Sequence, residues 1–207
     1  LFIMENVKAL GTLEKWKPIR DRYLEKTREL GYFCYYFVLN SSEFGVPQKR
    51  ERVFFVGSKN DYNPEGFIET LNSLKTEPQS LRQLLSNLPV AGSSENPLTC
   101  SAKITLAANP VMRKSPYAGM IFNGLGRPLN LEGVSATLPA SMGGNKTPII
   151  DQVLLEDSEA DDWVVNYHAQ LMDKSLSPEF APAPSRLRRL TIVESAAIQT
   201  FPADYRF

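Results

Sequence analysis

Cysteine is scarce in this 207-residue sequence, with Cys34 and Cys100 only, and histidine is represented by His168 alone. Two separated thiols make no disulfide framework, and two thiols with one imidazole are a poor ligand set for structural zinc, so no metal is expected. An uninterrupted apolar stretch long enough to span a bilayer is also missing, which excludes a helical membrane anchor. The formal net charge is zero, so composition withholds the nucleic-acid reading that a strongly basic chain would give. The opening Leu1-Phe2-Ile3-Met4-Glu5 lacks the basic flank and the length of a signal peptide. It also starts without methionine inside an apolar run, so a cytoplasmic chain cut from something larger is expected.

A hydrophobic share of 43% against 22% charged residues suits a globular protein with a sizeable core. Leu1 to Met4 reads as a buried strand whose end presents Glu5-Asn6-Val7, and a ligand is expected at that end. From Pro18, the spacing of Ile19, Tyr23, Leu24, Thr27 and Leu30 predicts a helix closed by Gly31. Tyr32 to Leu39 and Val53 to Val56 are apolar runs separated by Gly45-Val46-Pro47, which predicts two further strands around a turn. Strand, helix, strand, turn, strand fits the latter half of an open α/β sheet.

After Gly57 the composition shifts, and a domain boundary is expected near residue 58. Leu81, Leu84, Leu85 and Leu88 mark a short helix stopped by Pro89. Between Pro110 and Ile150 glycine and proline recur too often for long helices, so short strands and shaped loops are expected, as recognition surfaces often are. Thr191 and Glu194 form a capping-box pattern for a last helix before Pro202. Positive charge gathers at Lys49, Arg50 and Arg52 and again at Arg186, Arg188 and Arg189, while acidic residues cluster from Glu156 to Asp162. Taken alone, runs this short are as readily solvated surface.

Glu5-Asn6-Val7, then Gln48-Lys49-Arg50-Glu51-Arg52-Val53, then Arg188-Arg189-Leu190-Thr191 with Glu194 and Gln199-Thr200-Phe201-Pro202 resemble, in this order, blocks of the DNA cytosine-5 methyltransferases. Thr137-Leu138 is similar to a pair in their target-recognition regions. The resemblance implies an α/β fold: the C-terminal part of a Rossmann-like methyltransferase sheet, with a small, loop-rich, mainly β target-recognition domain. It divides the chain into catalytic-domain residues 1–57, a target-recognition domain 58–185 and a returning helix block 186–207. The family's glycine-rich cofactor segment and Pro-Cys nucleophile block have no counterpart here and are expected upstream of Leu1. The chain alone is therefore expected to be inactive.

Carbon 5 of cytosine is a poor nucleophile until a thiolate adds at carbon 6, and a carboxyl group against the ring nitrogen at position 3 assists that addition as a general acid. The resemblance gives Glu5 this role, Asn6 a buttressing role, and Arg52 a contact near the base carbonyl and Glu5. Arg50 is implied to contact DNA phosphate, and Gln48 to act at the DNA or to order its loop. Arg50 and Arg52 share one face of an extended segment by its period of two, with Lys49 and Glu51 on the other. Candidate sequence readers are Arg127, Thr137, Leu138, Gly143, Gly144, Asn145 and Lys146, the glycines letting backbone approach a groove. Arg188 and Arg189 either anchor the recognition region or bind phosphate. Cys34, inside an aromatic run, reads as a buried apolar side chain and not as a nucleophile.

The implied methyl donor is S-adenosylmethionine, bound mainly by segments outside this chain. The implied partners are double-stranded DNA and an N-terminal catalytic half, on the same polypeptide or a complementing one, in a restriction-modification setting. Two alternatives stand beside this: a non-catalytic DNA-binding chain of a split or degenerate enzyme, and an RNA methyltransferase of the same superfamily.

Overall fold

The computed structural model describes residues 1–205; Arg206 and Phe207, which end the expected returning block, lie outside the described residues. The chain forms two compact units, divided between Pro78 and Gln79. No helix among the described residues is long and apolar enough to cross a membrane.

The first unit runs β1 (Phe2–Val7), α1 (Lys8–Thr12), α2 (Lys17–Glu29), β2 (Phe33–Asn40), β3 (Glu51–Ser58) and α3 (Pro64–Ser73). The three strands make one sheet in the order β1-β3-β2, with β3 antiparallel to both neighbours. Helix α2 is the one expected from the Ile19–Leu30 spacing; Pro18 sits in its first turn, and Gly31 ends it at a φ of +78°, where a side chain would be strained. Each strand offers alternate residues to opposite faces. On one face α1 comes so close that a Cβ on Gly11 would meet Val53 Cγ2 at 2.8 Å, and Tyr23 of α2 meets Phe55 edge-on with centroids 4.9 Å apart. The other face takes α3, whose Phe67 lies 5.2 Å from Phe37, while Tyr62 packs on Tyr35 at 5.1 Å.

This second cover explains why the first unit extends past the boundary expected near residue 58. Segment 59–78 is packing material for the sheet, and the Gly45 amide donates to the Thr76 carbonyl at 2.9 Å, fastening its end to the loop before β3.

The second unit holds α4 (Leu81–Ser86), β4 (Leu106–Val111), β5 (Met120–Phe122), β6 (Ile149–Asp151), α5 (Gln152–Glu156), α6 (Trp163–Met172), β7 (Leu187–Arg189) and α7 (Ile192–Ile198). Among the described residues its strands pair as β4-β5 and β6-β7, and much of residues 87–148 is loop, in line with their many glycines and prolines. Two apolar clusters share β6. Ile149 joins Leu106, Phe122, Tyr167 and Leu187, and Ile150 joins Leu81, Leu131, Leu190 and Ile198. Adjacent strand residues point to opposite faces, so one short strand serves both cores.

Helix α7 starts with the expected capping box: Thr191 Oγ1 accepts from the Glu194 amide at 3.1 Å and the Glu194 carboxylate accepts from the Thr191 amide at 2.9 Å. The same buried carboxylate receives Arg188 through two guanidinium nitrogens, at 2.6 and 2.8 Å. Truncating one member of such a pair strands the other charge. Glu194→Ala is therefore expected to destabilise the chain by about 3 kcal/mol in urea unfolding. A loss below about 1 kcal/mol, the worth of an exposed pair, would contradict this reading of the joint.

Candidate functional site

In the first unit, the pairing of β1 with β3 sets Val7 opposite Arg52 and Glu5 opposite Phe54. Glu5 and Arg52 are therefore diagonal neighbours on one face, within reach of long side chains. Arg52 Nε lies 3.1 Å from Glu5 Oε1, and Arg50, two residues earlier on the same face, brings Nη2 to 3.9 Å. Glu51, out of step by one, turns instead to Lys8 Nζ at 2.6 Å. The carboxylate is 48% exposed, whereas Arg52 is only 21% exposed and is also held by a 2.8 Å bond from Nη1 to the Glu51 carbonyl. A fixed guanidinium thus orients an accessible carboxylate, and the guanidinium fork keeps donors for a further acceptor. Asn6 points to the opposite face, and its Oδ1 accepts from the Val7 amide at 2.8 Å where the strand passes into α1.

Gln48 departs from the expectation of a DNA contact. It is 3% exposed, and Nε2 has no partner among the described groups, so its side chain faces the interior and not solvent. Its carbonyl accepts from Ser41 Oγ at 2.6 Å, while the Ser41 amide donates to the Arg50 carbonyl at 3.1 Å. These bonds order the loop that delivers Arg50 and Arg52.

Cys34 lies on the face opposite Glu5, paired with Gly57 at the far end of β3 from Arg52. Burial pushes its thiol pKa up, which lowers its thiolate fraction. It cannot act on a base held by Glu5 and Arg52. Two cavities of this unit lie away from Glu5. One, of about 320 Å³, is lined by Arg28, Tyr32 and Cys34, and another lies beside Phe37 and Ile68; neither reaches Glu5 or a glycine-rich strand-to-helix turn. Among the described residues no three His, Cys, Asp or Glu side chains converge as a metal site.

In the second unit the expected recognition residues separate into groups. Gly143, Gly144 and Asn145 line an open cleft of about 520 Å³ together with Ser101, Lys103 and Asn123. Gly143 has a φ of +100°, and a Cβ on Gly144 would meet nothing within 4 Å. Arg127 and Lys146 are exposed but outside the cleft lining, each next in sequence to a residue of the bond that the Gly126 amide donates to the Asn145 carbonyl at 2.8 Å. Thr137 is exposed but outside the cleft lining, and Leu138 packs against the cluster around Leu131, which makes it a core contact. Ser101, Lys103 and Asn123 were not expected at such a site. The signal for Asn123 was available as the turn pair Asn123-Gly124 directly after apolar Ile121-Phe122.

Arg188 and Arg189 anchor this unit. Arg188 is taken up by Glu194 and by Gln152 Oε1 at 2.6 Å. Buried Arg189 donates to the carbonyls of Thr147 at 2.7 Å and of Ala102 and Lys103 at 3.4 Å, and burial pulls its pKa below the ordinary value. Tyr117 OH donates to Asp162, the cap of α6, and burial is the main cause that pushes the phenol pKa well up.

Among known proteins, the chain aligns end to end with the type II methyltransferases M.FnuDI of Fusobacterium nucleatum and M.MthTI of Methanothermobacter thermautotrophicus, each at 27% identity. It covers 55% and 56% of them, so it spans about half the length of these curated relatives. The type II methyltransferase M.NgoBI of Neisseria gonorrhoeae is 42% identical over 86 residues, which are 42% of this chain and 25% of that protein. Among solved structures, a Dnmt2 mutant of Spodoptera frugiperda superposes with a TM-score of 0.52 at 18% identity, covering 99% of this chain and 56% of that one. The S. pombe Dnmt2 methyltransferase gives 0.50 at 14% identity, covering 99% and 55%. These likenesses show the fold, which is that of methyltransferases. The sequence profile of C-5 cytosine-specific DNA methylases matches residues 1–207, and with that match over its whole length the chain belongs to this family.

Proposed function

We propose that this chain is the C-terminal portion of a DNA cytosine-5 methyltransferase that methylates carbon 5 of a flipped-out cytosine in a specific duplex site. We place it in the cytoplasm, in a restriction-modification system, a setting in keeping with relatives named type II methyltransferases. The observation that carries the reading is the Glu5–Arg52 contact at 3.1 Å on an accessible face, with Arg50 beside it.

A cytosine inside a duplex hides the atom to be modified, so it must be rotated out of the stack at a cost of a few kcal/mol, offset by contacts in the pocket. Glu5 then meets the ring nitrogen at position 3 and the exocyclic amine, and shares a proton as negative charge builds on the ring. Arg52 holds that carboxylate and offers its remaining donors to the base carbonyl. Arg50, more exposed, takes a DNA phosphate. Gln48 and Asn6 shape the elements that carry these groups. Arg127, Thr137, Gly143, Gly144, Asn145 and Lys146 serve recognition.

The nucleophile and most of the S-adenosylmethionine site would come from an N-terminal half. The sheet supports this: among the described residues β1 pairs with β3 alone and ends the strand order, so its other edge is one on which a Rossmann-like sheet can continue, and Leu1, Ile3 and Val7 at that end are exposed apolar side chains. A non-catalytic DNA-binding chain is the second reading, favoured by the position of Cys34 on the face away from Glu5.

In an enzyme completed by a Pro-Cys half, Glu5→Gln is expected to lower the methyl-transfer rate by roughly 100- to 10,000-fold. Duplex affinity should remain close to that of the parent, because no phosphate contact is removed; turnover equal to the parent's would remove the role given to Glu5. Arg50→Ala is expected to weaken all duplexes alike and to flatten the slope of log affinity against log salt by about 0.9. A loss confined to one DNA sequence would make Arg50 a base reader. Gly144→Ala has space within the fold, so thermal stability should be unchanged while duplex binding weakens; unchanged binding would take the Gly144 backbone off the DNA surface.

A further inference from the structure

The polar cleft of the second unit contains one side chain whose hydrogen-bonding sense is fixed. Asn123 Nδ2 donates to Thr105 Oγ1 at 3.0 Å and to the Leu106 carbonyl at 2.8 Å. A backbone carbonyl can only accept, so the atom facing it is the amide nitrogen, and both amide protons are engaged. What remains of Asn123 is Oδ1, an acceptor held in place. The Asn123 amide also donates to the Thr105 carbonyl at 2.9 Å, which ties this residue to the segment after Lys103.

The surroundings favour a polyanion that presents donors. None of the residues lining the cleft is acidic. Lys103 within it, and Lys146 next to its lining residue Asn145, are exposed and form no ion pair among the described residues. The space beside Gly144 is free of the chain's own atoms. The walls are braced, with Gly126 joined to Asn145, Gly143 N donating to Thr147 Oγ1 at 2.9 Å, and Arg189 tying Thr147 to Lys103.

We propose that Asn123 is a specificity-determining residue whose Oδ1 accepts a hydrogen bond from the exocyclic amine of one base in the major groove of the recognised duplex. The proposal rests on the DNA-methyltransferase reading given above and adds to it the chemical class of the base. Asparagine with a free amide grips adenine through two bonds, as acceptor and donor. With both amide protons engaged internally, Asn123 reads only the amine. It accepts adenine or cytosine at that strand position and rejects guanine and thymine, whose major-groove edges there carry an acceptor. Lys103 and Asn145 keep free donors for neighbouring acceptors or phosphates.

The test starts from selection of randomised duplexes by the 207-residue chain. One position of the selected site should be restricted to adenine or cytosine on one strand. Replacing the amine of that base by hydrogen should weaken binding by about 5- to 100-fold. Asn123→Ala should weaken the parent duplex by a similar factor, relax that position to all four bases, and show no further loss on the amine-free duplex. Such coupling between one side chain and one amine is not produced by a merely structural residue. Additive losses, equal affinity with and without each candidate amine, or dependence on the minor-groove amine of guanine would overturn the role of Asn123 while leaving DNA recognition intact. If the variant fails to fold, the amine-free duplexes with the parent chain decide the matter. Failure of the parent to bind any duplex would overturn the DNA reading together with this one.

Discussion

Glu5 and Arg52 are far apart in sequence and meet only because β3 runs antiparallel between β1 and β2. That pairing fixes more than one contact. Because strand side chains alternate, a register slip of one residue would turn Arg52 away from Glu5 and bring Val53 out of the core formed with Gly11 and Val38. The apolar packing on one face of β3 therefore enforces the polar geometry on the other. The loop before β3 is held by Ser41, Gln48 and Thr76, so Arg50 approaches from a defined direction even though its side chain is largely exposed.

The second unit meets a different constraint, because its long loops contribute few ladder hydrogen bonds. Side chains replace them. Arg189 collects carbonyls from three positions, and Arg188 connects β7 to α7 through Glu194. These two arginines, whose role the sequence left open between anchoring and phosphate binding, are engaged within the fold. Removing them from the pool of free cations leaves Lys103 and Lys146 as the positive charge around the open cleft.

Much of the first unit was legible in the sequence because hydrophobic spacing, Pro18 and Gly31 all point to the same elements. The Glu5 and Arg50-Arg52 placement followed from motif order and strand period, although only the three-dimensional register reveals the 3.1 Å contact. The compact first unit runs on to Pro78, past the composition shift near residue 58, because such a shift marks a change of secondary structure as readily as a change of domain and Phe67 and Tyr62 still pack on the sheet. In the second unit α6 has a readable pattern in Trp163, Val164, Tyr167 and Leu171 behind the cap Asp162, although an acidic run directly precedes it. Gln48 and Leu138 have residue types that suit either a surface or a core; in the fold Gln48 is buried and Leu138 is half-buried against the cluster around Leu131. The turn pair Asn123-Gly124 marks Asn123 in the sequence, but the fixed sense of its amide depends on Thr105 and Leu106, which only the fold brings beside it.

The central claim, that Glu5 and its arginines are the base-activating part of a cytosine-5 methyltransferase completed elsewhere, is tested most directly by following labelled methyl groups from S-adenosylmethionine into mixed-sequence duplex DNA. The chain is assayed alone and together with an N-terminal half carrying the Pro-Cys block. Transfer in the mixture and none by the chain alone is the expected result. Transfer by the 207-residue chain alone would contradict the need for an external nucleophile, and absence of transfer in a mixture shown to associate would contradict the catalytic reading.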